Sequence, residues 1–286
     1  MTTEQRGTSD GVGMCPASLM ADFMTPTGDE VRAAVDASLQ AGASAASTWT
    51  LHFDALGGLE AAARWLKASG LRTEVVEAAS NWAQTDQATA DRDGRQIAEA
   101  AAAVGASIVM AICLEPTLDD LDRARDNLAV VVAHARDAGA RTCVEFLPWT
   151  GIPDLATAWS LVEPLGPDAG VLIDAWHWQR QPGGPNLPLL ASIPGDRIGY
   201  VQMCDAAPGD ATDMMEAMAG RLFPGDGVVD FASLVGTLRQ IDALPFIATE
   251  VFNPGLLAER GINDFAHASI SGAKRMLDAG GSAPSS

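Results

Sequence analysis

The sequence predicts an α/β chain folded as a closed (β/α)8 barrel in a single domain, and three observations carry that prediction. Short β-prone runs alternate with longer runs of helical period, the alternation repeats eight times, and no break in composition divides the repeats. Such alternation gives a parallel sheet, and eight units favour a closed ring over an open doubly wound sheet. At 286 residues and 48% hydrophobic, the chain can fill one large core. The first strand-to-helix turn offers no G-x-G-x-x-G and no Walker-type lysine loop occurs, so a nucleotide fold is disfavoured.

Residues 1–12 read as a polar leader, 13–278 as the barrel and 279–286 as a flexible tail. Gly13 to Met20 is the first strand, and Asp29 to Ala41 is a helix with Val31, Ala34, Val35 and Leu39 on one face. Ala43 to Leu51 and Arg72 to Ala78 are strands two and three, separated by the helix Leu59 to Ser69, which stops at Gly70. The Ala-rich helix Asp91 to Val104 stops at Gly105, and both glycines sit where a helix end favours a left-handed residue. Ser107 to Leu114 is the fourth strand and Leu118 to Ala138 a long helix, followed by the fifth strand, Thr142 to Trp149. Pro153 to Leu165, with proline in its first turn, precedes the strand Ala169 to Ile173 and a weak helix around Leu187 to Ile193. Arg197 to Met203 is the seventh strand. The long connection Ala206 to Asp230, with Met214, Met215, Met218 and Pro224-Gly-Asp-Gly227, reads as a lid or substrate wall. Phe231 to Ile241, Pro245 to Val251 and Ile262 to Leu277 complete the series.

A formal charge of −19 opposes an electrostatic grip on nucleic acid or on an anionic membrane. The expected partner is small, and neutral or held through a cation; a homo-oligomer is allowed. The first residues lack the apolar core of a secretory signal and no run approaches membrane-spanning length, so a cytoplasmic location is expected. Cys15, Cys113, Cys143 and Cys204 fall in predicted strands without metal-binding spacing and read as buried free thiols.

Four strand ends share one design. Thr142-Cys-Val-Glu145, Val171-Leu-Ile-Asp174, Tyr200-Val-Gln202 and Phe246-Ile-Ala-Thr-Glu250 each end an apolar run on an oxygen donor. In a barrel those ends face one mouth. Three carboxylates brought together raise each other's pKa unless a cation neutralises them, so Glu145, Asp174, Gln202 and Glu250 are expected to ligate one divalent ion. Oxygen-dominated ligation with one amide suits Mn²⁺ or Mg²⁺, with Co²⁺ as an alternative. The competing reading is that the acids pair with Arg141, Arg197 or Arg221, or face solvent.

Val144-Glu145, Ile173-Asp174-Ala-Trp-His177, Val201-Gln202-Met-Cys-Asp205, Pro224-Gly-Asp-Gly227 and Thr249-Glu250, in this order, resemble the xylose-isomerase-like TIM barrels. That group includes sugar-phosphate isomerase/epimerase proteins, ketose 3-epimerases and related dehydratases. The resemblance implies one divalent ion, commonly manganese, on the matching positions of strands five to eight. Gln202 departs from it, since histidine is common there, and an amide oxygen ligates more weakly and without charge. It also implies that Glu145 and Glu250 work as acid and base on a keto sugar or polyol, through a metal-stabilised enediolate. Proton return on the opposite face inverts a centre, so the expected activity is that of a metal-dependent isomerase or epimerase; the alternative, loss of a β-hydroxyl, would make the enzyme a lyase of the inosose or dehydroshikimate type.

Other expected substrate contacts are His177, three residues past Asp174, and Glu77 and His52 at the ends of strands three and two. Arg221, just ahead of Pro224-Gly-Asp-Gly227, resembles a family arginine at the mouth. Trp49, Trp82, Trp149, Trp176 and Trp178 cluster at strand ends, where Trp149 and Trp176 in particular can stack on a sugar face or a bulkier planar group. The alternative for each is packing between barrel and helices. A barrel endonuclease for abasic DNA is opposed by the acidity and by a total of four histidines, and a non-catalytic sugar-binding barrel is the alternative should Gln202 abolish metal binding.

Overall fold

The computed structural model describes residues 11–243 and 245–280. Eight strands pair in parallel and in sequence order, and β8 closes the ring on β1. They are β1 Gly13–Met14, β2 Ala46–Trp49, β3 Thr73–Ala79, β4 Ile108–Ala111, β5 Arg141–Glu145, β6 Ala169–Asp174, β7 Ile198–Met203 and β8 Phe246–Thr249. Strands covered on both faces carry apolar residues on both. Val75, Ile108, Met110, Cys143, Leu172, Tyr200 and Ala248 fill the inside of the ring. Their neighbours Val76, Val109, Val144, Ile173 and Val201 point outward into the larger core beneath the helices.

Helix boundaries follow the caps more closely than the apolar period. The Thr27 hydroxyl accepts from Glu30 N while the Glu30 carboxylate accepts from Thr27 N, which opens Gly28–Gln40. Asp86 accepts from Thr89 N, so the third long helix begins at Gln87, a turn before the expected Asp91. Asp120 accepts from Arg123 N and delays the next helix to Leu121, past the expected Leu118. Gly70 and Gly105 take positive φ and end their helices as expected.

Three differences from the sequence expectation bear on the mouth. The first strand is two residues long instead of reaching Met20, because Pro16, with no N–H to give a ladder, opens a 3-10 turn over Pro16–Leu19. Short helices Ala175–Arg180 and Pro254–Arg260 follow β6 and β8; at six and seven residues they are too brief for a period to reveal. The expected lid contains the helix Met214–Ala219, which leaves Met214 and Met215 exposed. Cys15, Cys113 and Cys204 lie just past strand ends, not within strands.

Residues 1–10 and 281–286 of the predicted leader and tail lie outside the described residues; Val12 is buried in the core and Ala279 ends the helix Ile262–Ala279. Among the described residues no helix is long and apolar enough to cross a membrane. At the N-terminal end of the strands lies a cleft of about 1580 Å³ lined by Arg72, Glu74, Arg141, Phe246 and Lys274. None of the four strand-end donors reaches it.

Candidate active site

Glu145 and Asp174 are the last residues of β5 and β6, and Glu250 follows β8 directly. Gln202 is paired in register with Asp174 across β6 and β7. All four side chains are buried. The structure places a guanidinium among them. Arg221 Nη1 donates to Asp174 Oδ2 at 2.8 Å, to Glu250 Oε2 at 3.0 Å and to the Glu250 carbonyl at 3.1 Å. Its Nη2 lies 3.3 Å from His177 Nε2, and its Nε donates to the Ala217 carbonyl at 2.6 Å. The guanidinium also stacks over Phe252 at 5.3 Å and is almost wholly buried. Pairing of the acids with an arginine thus holds for Asp174 and Glu250. Arg197, by contrast, spends its donors on the carbonyls of Ala169 and Val162, and Arg141 lines the cleft at the other end of the barrel.

The D-x-x-H step has a local cause. Asp174 caps Ala175–Arg180, its Oδ1 accepting from His177 N at 2.9 Å, so the third residue of the helix is fixed beside its own cap. The His177 ring then sits 3.6 Å from Glu145 Oε1 and 3.9 Å from Asp174 Oδ1. Trp149 and Trp176 meet it edge-on at 5.3 and 5.4 Å. Donor atoms of Glu145, Asp174 and His177 all lie within 4.8 Å of one another. His177, expected to touch substrate, therefore stands where a ligand would.

A second group of donors adjoins the first. Atoms of Cys15, Glu77 and Glu250 also lie within 4.8 Å of one another, and Ser47 donates to Glu77. Glu250 belongs to both regions: Oε2 faces Arg221, while Oε1 has no hydrogen-bond partner.

The electrostatics are lopsided. Burial, reinforced by Asp174 and Glu250, pushes the Glu145 carboxyl well above its ordinary range, and burial with Glu250 and Glu145 does the same to Glu77. Burial raises Glu250 to about 7 against the pull of Arg221. Burial drives His177 down to about 3, so its ring is neutral and can offer a lone pair. Burial also opposes the charge on Arg221, yet Asp174, Cys204, Glu250 and Glu145 hold it more firmly protonated than an ordinary arginine. One guanidinium faces four buried carboxylates.

These residues fit a divalent ion. Besides the excess of negative charge, both ends of the Gln202 amide, Glu250 Oε1, Glu77 Oε2 and His177 Nδ1 are buried without hydrogen-bond partners. Buried polar atoms left in that state are expected to meet a ligand. Oxygen donors with one imidazole suit manganese, magnesium or zinc.

The remaining expected contacts divide. Trp82, Trp176 and Trp178 are core residues, whereas Trp49 and Trp149 are half-buried at the mouth. His52 is engaged by the Phe23 carbonyl at 2.6 Å and stacks on Trp49. Asp205 accepts from Gly225 N and Val229 N, both at 2.9 Å, and so fixes the Pro224-Gly-Asp-Gly227 loop. A Cβ on Gly227 would collide with Asp205 and the Ala206 carbonyl, which explains the second glycine of that motif. Cys15, Tyr200 and Cys204 were not singled out for the site from sequence. Cys204 Sγ lies 3.6 Å from Asp174 Oδ2, and the buried Tyr200 phenol is pushed up by burial and by Glu77 and Glu250. Only their places within or just after strands hinted at this.

Residues 35–269 match the family model described as xylose isomerase-like TIM barrel. A 3-dehydroshikimate dehydratase from Pseudomonas putida is 33% identical over 136 residues, a stretch that is 46% of this chain and 21% of that relative. The chain thus spans about a fifth of the length of the curated relative that it matches. Among solved structures, the IOLI protein with a bound zinc atom superposes with a TM-score of 0.80 at 14% identity, covering 96% of this chain and all of the other. D-allulose 3-epimerase from a Methylomonas species, in complex with D-allulose, gives 0.72 at 19% identity over 93% of this chain and 96% of its own. At those identities the structures establish the fold alone.

Proposed function

Because the chain belongs to the xylose isomerase-like TIM barrel family, we propose that it is an enzyme that removes the proton next to a carbonyl of a small polyhydroxylated keto compound and then expels a β-hydroxyl as water. The observation that carries this reading is the pair of buried carboxyls at the barrel mouth, Glu145 beside His177 and Glu250 beside Arg221. Glu250 is suited to be the base. Its carboxyl is raised to about 7 by burial, and Oε1, without a hydrogen-bond partner, is free to take a proton. Glu145, held protonated by burial and its acidic neighbours, is suited to be the acid that gives a proton to the departing hydroxyl. The C–H electron pair becomes the new double bond, and the hydroxyl leaves with the proton from Glu145. A divalent ion held by Asp174 and His177 with Gln202 alongside, manganese being the first candidate, would supply Lewis-acid polarisation of the carbonyl next to the protonated Glu145. Trp149 offers a half-buried face for the apolar side of the substrate, and the helix Met214–Ala219 an apolar cover.

Dehydration is preferred to epimerisation because the sequence relative is a dehydratase, while the likeness to an epimerase is one of fold. Incubating the protein, Mn²⁺ and 3-dehydroshikimate in deuterated water tests the choice. An unsaturated product absorbing in the ultraviolet is expected. Deuterium exchange into D-allulose or another ketose without loss of water would establish the epimerase instead. Neither outcome, with no divalent ion retained, would leave a sugar-binding barrel.

A further inference from the structure

Arg221 and a divalent ion draw on the same carboxylates. Asp174 Oδ2 and Glu250 Oε2 belong to two of the four residues expected to ligate, yet both are spent on Arg221 Nη1, at 2.8 and 3.0 Å. An ion bound to either oxygen of those carboxylates would stand close to the guanidinium in a buried setting, where like charges repel strongly. Resting on the metal reading above, we propose that Arg221 is a tethered counter-ion that occupies the Asp174–Glu250 edge when no metal is bound, and that a divalent ion displaces it toward the substrate.

The tether is visible. The Arg221 backbone is pinned by its N–H to the Phe252 carbonyl at 3.2 Å and by Asn253 Nδ2 to its own carbonyl at 2.9 Å, so displacement is a swing of the side chain alone. Nε is bound to the Ala217 carbonyl, at the end of the helix Met214–Ala219, so the swing also releases the segment with exposed Met214 and Met215. Metal arrival, placement of a guanidinium against substrate and freeing of the cover would then be one event. The arrangement also explains how a site with so many buried acids holds together before a metal arrives. The built-in cation satisfies Asp174 and part of Glu250, while the Gln202 amide and Glu250 Oε1 wait unpartnered.

Calorimetric titration of the metal-stripped full chain with Mn²⁺ tests this, comparing wild type with Arg221→Gln. The variant should bind about tenfold to a hundredfold more tightly, the scale of one charge-assisted hydrogen bond no longer broken on entry. Without metal it should melt below wild type, with Mn²⁺ closing the gap. Equal or weaker binding by the variant overturns the competition but leaves the metal reading standing. Binding by neither chain overturns both. Should Arg221→Gln fail to fold, arginine-selective ¹⁵N spectra of the wild type decide. The guanidinium held by two carboxylates should resonate apart from surface arginines and move on saturation with diamagnetic Zn²⁺; an unmoved signal with zinc bound overturns the proposal.

Discussion

The two ends of the barrel handle charge in opposite ways. At the N-terminal end Glu74 pairs with Arg72 and accepts from Ser107, and Arg197 spends two bonds of 2.6 Å on the backbone carbonyls of Ala169 and Val162 while stacking over Trp159. There Glu74 and Arg197 tie strand to strand and strand to helix. At the C-terminal mouth one guanidinium pairs with Asp174 and Glu250, Glu77 and Glu145 are buried without an ion pair to it, and several neighbouring polar atoms have no partner. The cleft of about 1580 Å³ is at the first end and the unbalanced chemistry at the second. Cavity size is thus a poor guide here. Uncompensated burial of ionisable groups is the better one, because a fold gains nothing from that strain and only a ligand relieves it.

The comparison is most exposed to substitutions that should separate activity from stability. Glu250→Ala or Glu145→Ala should lower turnover by about 10²- to 10⁴-fold, the usual contribution of a positioned acid or base, with the circular dichroism spectrum retained. Glu74→Ala at the other end should leave turnover within about twofold on the same assay. If the Glu74 variant lost activity and the Glu250 variant kept it, the assignment of the two ends would be reversed.

Asp174→Ala should be the most destabilising change at the mouth. It removes a helix cap and leaves Arg221 with one carboxylate partner fewer, a loss of about 3–5 kcal/mol by chemical denaturation. Arg197→Ala should cost about 2–4 kcal/mol through its two orphaned carbonyls, with kcat unchanged. A fall in kcat for Arg197→Ala beyond what unfolding explains would show that the far end is not purely structural.

The pH dependence of the metal-free protein sharpens the contrast with the smallest effect. Glu145, Glu77 and Glu250 keep their protons in the folded chain to higher pH than in the unfolded one, so between the ordinary glutamate value of 4.5 and about 7 the native state binds more protons and stability falls as pH rises. His177 works the other way: protonated when unfolded near 6.5 but neutral when folded down to about 3, it makes stability rise with pH across that window. Three carboxyls outweigh one imidazole, so the net slope from pH 5 to 7 should be negative. Glu145→Gln should flatten it and added Mn²⁺ should reverse it; an unchanged slope in the variant would remove Glu145 from the strained group.

Much of the barrel was legible because periodicity and caps are local. Eight alternations, the glycine stops at Gly70 and Gly105, and apolar strands ending in acids can all be read from neighbours in sequence. Where the reading slipped, at Gly13–Met20 or at Asp91 and Leu118, a proline or a capping aspartate outweighed a hydrophobic pattern within a few residues. The strand-end donors Glu145, Asp174, Gln202 and Glu250 were identifiable one at a time, since each stands at, just before or just after the end of its own strand.

Arg221 was a candidate partner of these acids and a candidate mouth residue, but nothing local placed it between them. Arg221 lies on a loop 47 residues from Asp174 and 29 from Glu250, and its place depends on the barrel's closure, on the carbonyls of Ala217 and Phe252, and on a neutral His177. Sequence sets which charges a chain owns and roughly where each leaves its strand. Their mutual distances, and hence which of them hold protons, depend on contacts between residues far apart in the chain, and those form only when the ring closes.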